Sequence, residues 1–427
     1  MAFVLQRYRR NSSKQSSHLR DLFRHWTAKS KSRFPLLWLQ DANEKPGTPW
    51  TQLQGTTALE AYDFAAQGVA REFQELLSVV CPRLAGRRSL QDYQEVWALV
   101  NSHVVTYPGG DSPESAVGTA QARPNILGPQ SALIPIFDLV NHHLAPPDQL
   151  LRTDTELWEH HHGTVGRYGI HPPTPGSVGQ EPHAQMLHLW ADRQLKRGEE
   201  ITDVYGIKSN EESLWTWGFT LPWIHNLTCL SRTRLSLQVA ELPGSGQQRP
   251  GFGHAGLLPQ LQPFLSFSVK PCSLHEGSSD HGLLQIIAFA RSWYAAASAS
   301  SPQALRATCG FQGLGPLGVG EAGSSSGWQL AEPCAYLSMA DELAALRVVS
   351  AAVTARQAGL AGGRLEEDEQ LLQGGAFQDL AVRDALVVRR DEKYVLRHLG
   401  LWLRSREKSF KSSLGKPGVS RRRRSEL

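Results

Sequence analysis

The sequence is poor in cysteine. Five are scattered at Cys81, Cys229, Cys272, Cys309 and Cys334 across 427 residues, with no Cys-x-x-C and none set beside histidine at ligand spacing. An odd, dispersed set argues against a disulfide framework or a structural zinc and for a reducing compartment. There is no apolar run of the roughly 18 residues a bilayer span needs. The best stretch, Gly282 to Ala297, is broken by Gln285 and Arg291, which predicts a chain that does not cross a membrane. No internal repeat is present. The hydrophobic share of 41% is enough to bury cores, so wholesale disorder is excluded, and the length suits two or three modest domains.

Charge is nearly balanced overall, at a formal +4, but unevenly placed. Residues 1–33 carry +8, with no acid before Asp21, and residues 404–427 carry +7, which leaves −11 for everything between. The Arg- and Ser-rich opening suits either an organelle transit peptide or a solvated basic helix. The closing Arg421 to Arg424 suits either a nuclear-localisation or nucleic-acid patch or a disordered charged tail. Because the positive charge sits in these ends and the middle is acidic, a nucleic-acid partner is not expected.

Thr51 to Leu77 and Gln91 to Tyr107 read as helical. Pro108 to Gln130, rich in Gly, Pro and Ser, reads as a loop. Ala132 to Val140 is a dense apolar run, and Gln185 to Trp190 and Glu200 to Tyr205 read as brief strands with Lys196 to Glu199 as a turn. Leu144 to His183, full of Pro, Gly and His, reads as an inserted loop. Beyond Arg232 the helical signature returns. A capping-box pattern at Ser338 opens a helix carrying Leu343, Leu346, Val349 and Val353 on one face before Gly359. A second helix runs from about Phe377 to Arg404, with Leu380, Val387 and Tyr394 at seven-residue steps. His160 to His162 cannot all face one ion from a regular element, and no metal site is assigned.

Two segments depart from anonymous core: Ile134 to His142 (IPIFDLVNH), and Gly198 to Gly206 (GEEITDVYG) running on through Ser209-Asn210 to Trp217-Gly218-Phe219. Either alone is commonplace, since Asn-His after a strand often satisfies local backbone groups and Tyr-Gly is a common strand end. In this order they closely resemble the SET-domain protein methyltransferases, in the subclass that includes the Rubisco large-subunit lysine methyltransferase and the actin-histidine methyltransferase. Gln54-Gly55-Thr56 and Trp97-Ala98 look like that subclass's helical insert. DELAALRVVSAAV, LEEDEQLL and RDALVVRRDEKYVLRHL look like its substrate-binding domain.

The resemblance implies an α+β chain. After a basic segment 1–33 come a helical insert over 34–115, the C-terminal part of a β-rich SET fold over 116–226 with an insertion at 144–183, an all-α substrate-binding domain over 227–403 and a basic tail over 404–427. It implies S-adenosyl-L-methionine as cofactor and a protein substrate, basic around its target, methylated on a lysine of a non-histone protein. Histidine methylation and a non-catalytic protein-binding module are the alternatives. A monomer in the cytoplasm or nucleus is expected, with the chloroplast as the alternative.

Such chemistry explains the residue types. Methyl transfer from a sulfonium is an in-line displacement, governed by alignment. A lysine must also shed a proton, at about 4.6 kcal/mol for the free amine at pH 7. An aromatic-walled channel lowers that cost by desolvation and tolerates cationic character through its ring faces. By resemblance, Tyr205 orients the amine, Asn141 and His142 hold the cofactor's amino-acid end, and Phe219 packs on its adenine. Phe137 and Asp138 face the substrate channel. Trp217 lines the substrate pocket where the family has tyrosine, narrowing it or suiting an imidazole. His103 follows Ser102 at a cofactor- or substrate-facing position where many members have arginine, and is assigned to the cofactor. The family's N-terminal glycine-rich turn has no counterpart before Gly55, where the only glycine is Gly47, so an N-terminal SET segment is expected to be missing.

Overall fold

The computed structural model describes residues 33–38, 47–80, 82, 87–107, 130–133, 140–142, 165–171, 186–191, 194–203, 205, 208–222, 231–238, 264–269, 283, 286–287, 290–291, 339–375 and 377–414. In chain order these form helices α1 (Pro35–Trp38), α2 (Pro49–Gln52), α3 (Thr57–Glu75, closed by a π-helical turn Leu76–Val80) and α4 (Leu90–His103), then strands β1 (Val104–Tyr107), β2 (Gln130–Leu133), β3 (Asn141–His142), β4 (Val165–His171), β5 (Met186–Ala191) and β6 (Thr202–Asp203). Helix α5 (Asn210–Trp217), strands β7 (Thr233–Gln238) and β8 (Phe264–Val269), and helices α6 (Met339–Gly359), α7 (Leu365–Gly374) and α8 (Leu380–Leu414) complete the order. The chain divides into two compact units, Met1–Asn43 with Tyr62–Asn226, and Glu44–Ala61 with Leu227–Leu427. The stretch 34–115, expected as one insert, is therefore shared between them.

In the first unit, α3 presents Ala66, Val69, Phe73 and Leu76 at helical spacing to a core completed by Phe34, Leu36, Tyr93 and Val96. Helix α4 starts at a reciprocal capping box. Ser89 Oγ accepts from the Asp92 N–H and Asp92 Oδ2 accepts from the Ser89 N–H, both at 3.1 Å. The helical reading of residues 91–107 overshoots. Val104, Val105 and Thr106 are β-branched, and β1 pairs antiparallel with β2 from Val104↔Leu133 to Tyr107↔Gln130. The segment read as an inserted loop over 144–183 also holds a strand, since β4 pairs antiparallel with β5 through a bulge at Val165/Arg167.

The second unit is not all helix. Arg234, Ser236 and Gln238 alternate with Leu235 and Leu237 in β7, a two-residue period, and β7 pairs antiparallel with β8. Its core gathers Leu235, Leu283, Ile286, Ile287 and Ala290 with Leu346, Val349 and Val353 of α6 and Val395, Leu396 and Leu399 of α8. Leu343 is buried too, so the face expected for α6 is the one observed. In α8, Val387, Val388 and Val395 are buried, whereas Leu380, its first residue, is 42% exposed. Gly55, at φ +76°, approaches Gly359 so closely that a Cβ would lie 1.9 Å from its carbonyl oxygen.

The middle of α8 buries charge. Arg389 forks onto Asp368 at 2.6 and 3.0 Å, and Lys393 reaches Asp368 at 2.8 Å. Glu392 accepts from the Thr57 N–H at 2.7 Å, the Thr57 and Thr233 hydroxyls at 2.8 and 2.7 Å, and Arg356 Nε at 3.0 Å. Burial pushes the Glu392 carboxyl above its ordinary range, opposed by the Arg356 guanidinium and the threonine donors. Breaking such a hub leaves several donors buried without a partner. Glu392→Ala is expected to cost about 3–5 kcal/mol, read as a lowered urea midpoint for the transition that unfolds α8.

Candidate functional site

Strands β3 and β6 are two residues each and pair in parallel, Asn141 with Thr202 and His142 with Asp203. They are approached through the Lys196 to Glu199 turn, closed by a 3.1 Å bond from the Glu199 N–H to the Lys196 carbonyl, with Gly198 at φ +83°. Beyond β6, Tyr205 is fastened to both sides of β3. Its N–H donates to His142 Nδ1 at 3.1 Å and its hydroxyl donates to the Val140 carbonyl at 2.5 Å. Because Nδ1 accepts, the neutral imidazole carries its proton on Nε2. With its own proton given to Val140, the phenolic oxygen can act toward a bound group only as an acceptor.

Helix α5 brings the remaining rings. It opens with a second capping box, Ser209 with Glu212, and ends at Gly218 in the left-handed conformation, φ +73°. A Cβ on Gly218 would come within 3.2 Å of Arg33 Cβ and of the Phe34 ring. The sharp turn there sends the chain on to Phe219, and Asn210 secures the return. Its amide accepts from the Leu221 N–H at 2.7 Å and donates to the Leu221 carbonyl at 3.0 Å. Behind the helix, Tyr62 donates to the Glu211 carbonyl at 2.7 Å and stacks on Trp215 at 5.2 Å.

Four half-buried rings converge as a result. His142 lies 5.1 Å from Tyr205, 5.6 Å from Phe219 and 6.1 Å from Trp217, centroid to centroid. Trp217 is 5.9 Å from Phe219 and 5.2 Å from Tyr205. The His142, Trp217 and Phe219 planes are within 28° of one another, offering flat faces to a heteroaromatic ring, while Tyr205 stands at 55° to Trp217. Exposed Asn141 adds an amide at the edge, its Nδ2 donating to Glu200 Oε1 at 2.6 Å.

The structure thus brings together Asn141, His142, Tyr205, Trp217 and Phe219. His103 ends α4, with Nδ1 2.8 Å from both the Leu99 carbonyl and Ser102 Oγ. Phe137, Asp138 and the histidine run 160–162 lie outside the described residues. Among the described residues, no three His, Cys, Asp or Glu are grouped to hold a metal ion, and no helix is long and apolar enough to cross a membrane. Sequence reasoning gave no role to Val140, Glu200 or Asn210. Glu200 and Asn210 stand inside the quoted motif, but their partners depend on pairing across about 60 residues and on the return of the chain after α5.

No family model and no curated protein sequence matches the chain. Solved structures do. The chain is similar to the SET domain of LSMT bound to methyl-lysine and AdoHcy, with a TM-score of 0.58 at 16% identity, over 96% of this chain and 75% of that one. It is likewise similar to the SET domain of LSMT bound to lysine and AdoHcy, with a TM-score of 0.57 at 16% identity, over 99% and 79%. For Rubisco LSMT bound to AdoMet the TM-score is 0.56 at 16% identity, over 98% and 79%. The fold is that of a SET-domain methyltransferase, with more helix than sheet among the described residues.

The Asn210 clamp is open to direct measurement. Asn210→Ala removes both bonds to Leu221 and is expected to lower stability by about 1–3 kcal/mol, measured by urea denaturation.

Proposed function

We propose that the protein is an S-adenosylmethionine-dependent protein N-methyltransferase acting on a lysine of a non-histone protein. The observation that carries the reading is the convergence of His142, Tyr205, Trp217 and Phe219 beside Asn141, from segments more than 60 residues apart. Support comes also from a fold shared with structures whose own ligands are AdoMet, AdoHcy and lysine.

The donor set suits the cofactor's chemistry. An adenine needs flat apolar faces, which Phe219 and its neighbours offer, and an amino-acid end needs polar groups, which Asn141 supplies. When bound, the cofactor supplies an electrophilic methyl group on a sulfonium. The chain's own contribution is alignment and dryness. Tyr205, fixed at its N–H and its hydroxyl, presents a phenolic acceptor that can orient an amine, and the half-buried rings around it would shield a bound amine from water. Exclusion of water favours the neutral amine over the ammonium. His142 serves as a brace, since its Nδ1 is occupied by the Tyr205 backbone. The helical substrate-binding role belongs, in this reading, to the C-terminal unit, and the acidic middle of the sequence favours a substrate basic around its target.

A second reading, histidine methylation, is favoured by Trp217, whose indole stands 5.2 Å from Tyr205 where the resemblance expects a tyrosine and offers a flat face to an imidazole. Mass spectrometry of the modified peptide separates the two.

With labelled cofactor and a cell extract, the chain is expected to transfer label to protein, and Tyr205→Phe to reduce that transfer by about 100-fold or more while leaving cofactor affinity within a few-fold. Unchanged transfer in the variant would refute the role given to Tyr205. Phe219→Ala is expected to weaken S-adenosylhomocysteine binding by about 10-fold or more in calorimetry, the loss of one stacked face.

A further inference from the structure

The bond between Asn141 and Glu200 does more than tie two exposed side chains together. A carboxylate is an acceptor only, so it can bind the Asn141 amide through nitrogen and not through oxygen. At 2.6 Å the contact is a short, charge-assisted one. An asparagine amide is otherwise close to symmetric in shape, and either end can be turned toward a ligand. The backbone of Asn141 cannot adjust, because it is held in the ladder opposite Thr202. Glu200 lies two residues before Thr202, just outside the two-residue strand, and its carboxylate reaches the exposed Asn141 amide from there. The arrangement therefore fixes which end of the amide is spent internally, and leaves Oδ1, an acceptor, as the end that can meet a ligand.

We propose that Glu200 is a positioning residue that sets the polarity of the Asn141 amide, so that Oδ1 is presented as an acceptor for an ammonium at this point. The ligand group this suits is the α-ammonium of the cofactor's amino-acid end, and the inference rests on the methyltransferase reading of the site. Glu200 itself need not touch the cofactor. Its contribution is to prevent the amide from turning its N–H groups toward a cation.

Two variants separate this from a simple charge effect. Glu200→Gln and Glu200→Ala both remove the negative charge, but only glutamine keeps an oxygen that can accept from Asn141 Nδ2. The probes are S-adenosylhomocysteine, which carries the amino-acid end, and methylthioadenosine, which lacks it, each titrated calorimetrically into the full chain. S-adenosylhomocysteine is expected to bind Glu200→Gln within about 3-fold of the parent and Glu200→Ala about 5-fold or more weakly, while methylthioadenosine binds all three alike and reports an intact nucleoside site. Equal weakening in both variants would overturn the inference in favour of bare charge, and no weakening in either would overturn it outright. If the parent chain binds neither nucleoside, the methyltransferase reading itself fails and takes this inference with it.

Discussion

Everything in the site depends on the fastening of Tyr205 to β3. Two ladder pairs, Asn141 with Thr202 and His142 with Asp203, are too few to define a register by themselves. The Tyr205 N–H on His142 Nδ1 and the Tyr205 hydroxyl on the Val140 carbonyl add two further points of attachment, one through the main chain and one through the side chain. Three consecutive residues of one segment are thereby held against the segment of another that carries the tyrosine. The rings of Trp217 and Phe219 then have a fixed surface to pack on, and the near-parallel planes of His142, Trp217 and Phe219 follow from that packing.

Polar side chains are put to two uses, each seen clearly in one of the two units. In the first, polar side chains are spent on main-chain ends: Ser89, Ser209 and Asn210 each satisfy backbone groups that a helix start or a chain reversal leaves open. In the second, charges are buried and answered by other charges. Asp368 receives Arg389 and Lys393, while Glu392 receives Arg356 and two threonines. Complete networks of this sort tolerate little change, because removing one member exposes the others to the full cost of burial.

How much of this could be read from the amino acids depends on the range of the interaction. Helices α4 and α6 were legible because their apolar residues recur at local helical spacing. The motif residues Asn141, His142, Tyr205, Trp217 and Phe219 were legible as a pattern, though not their distances. Strand β1 was missed because Val104 to Tyr107 continues an apolar text that a helix could also use, and only its partner β2 decides the matter. The ribbon of β7 and β8 was passed over for the same reason. Nothing in RDALVVRRDEKY says that Arg389 and Glu392 lie in the interior, since charged residues are ordinarily on the surface and the burial of these two rests on Asp368 and Arg356, outside that segment.

Gly218 illustrates how a position can matter to chemistry without touching a ligand. Its left-handed backbone costs any other residue about 1–2 kcal/mol, and the Arg33 and Phe34 side chains crowd the space where a methyl group would go. In a survey of random substitutions, this glycine would therefore score beside the aromatic residues, and a map of intolerant positions would mark it as part of the machinery. What such a map records at residue 218 is the bend that aims Phe219, a debt owed to geometry alone.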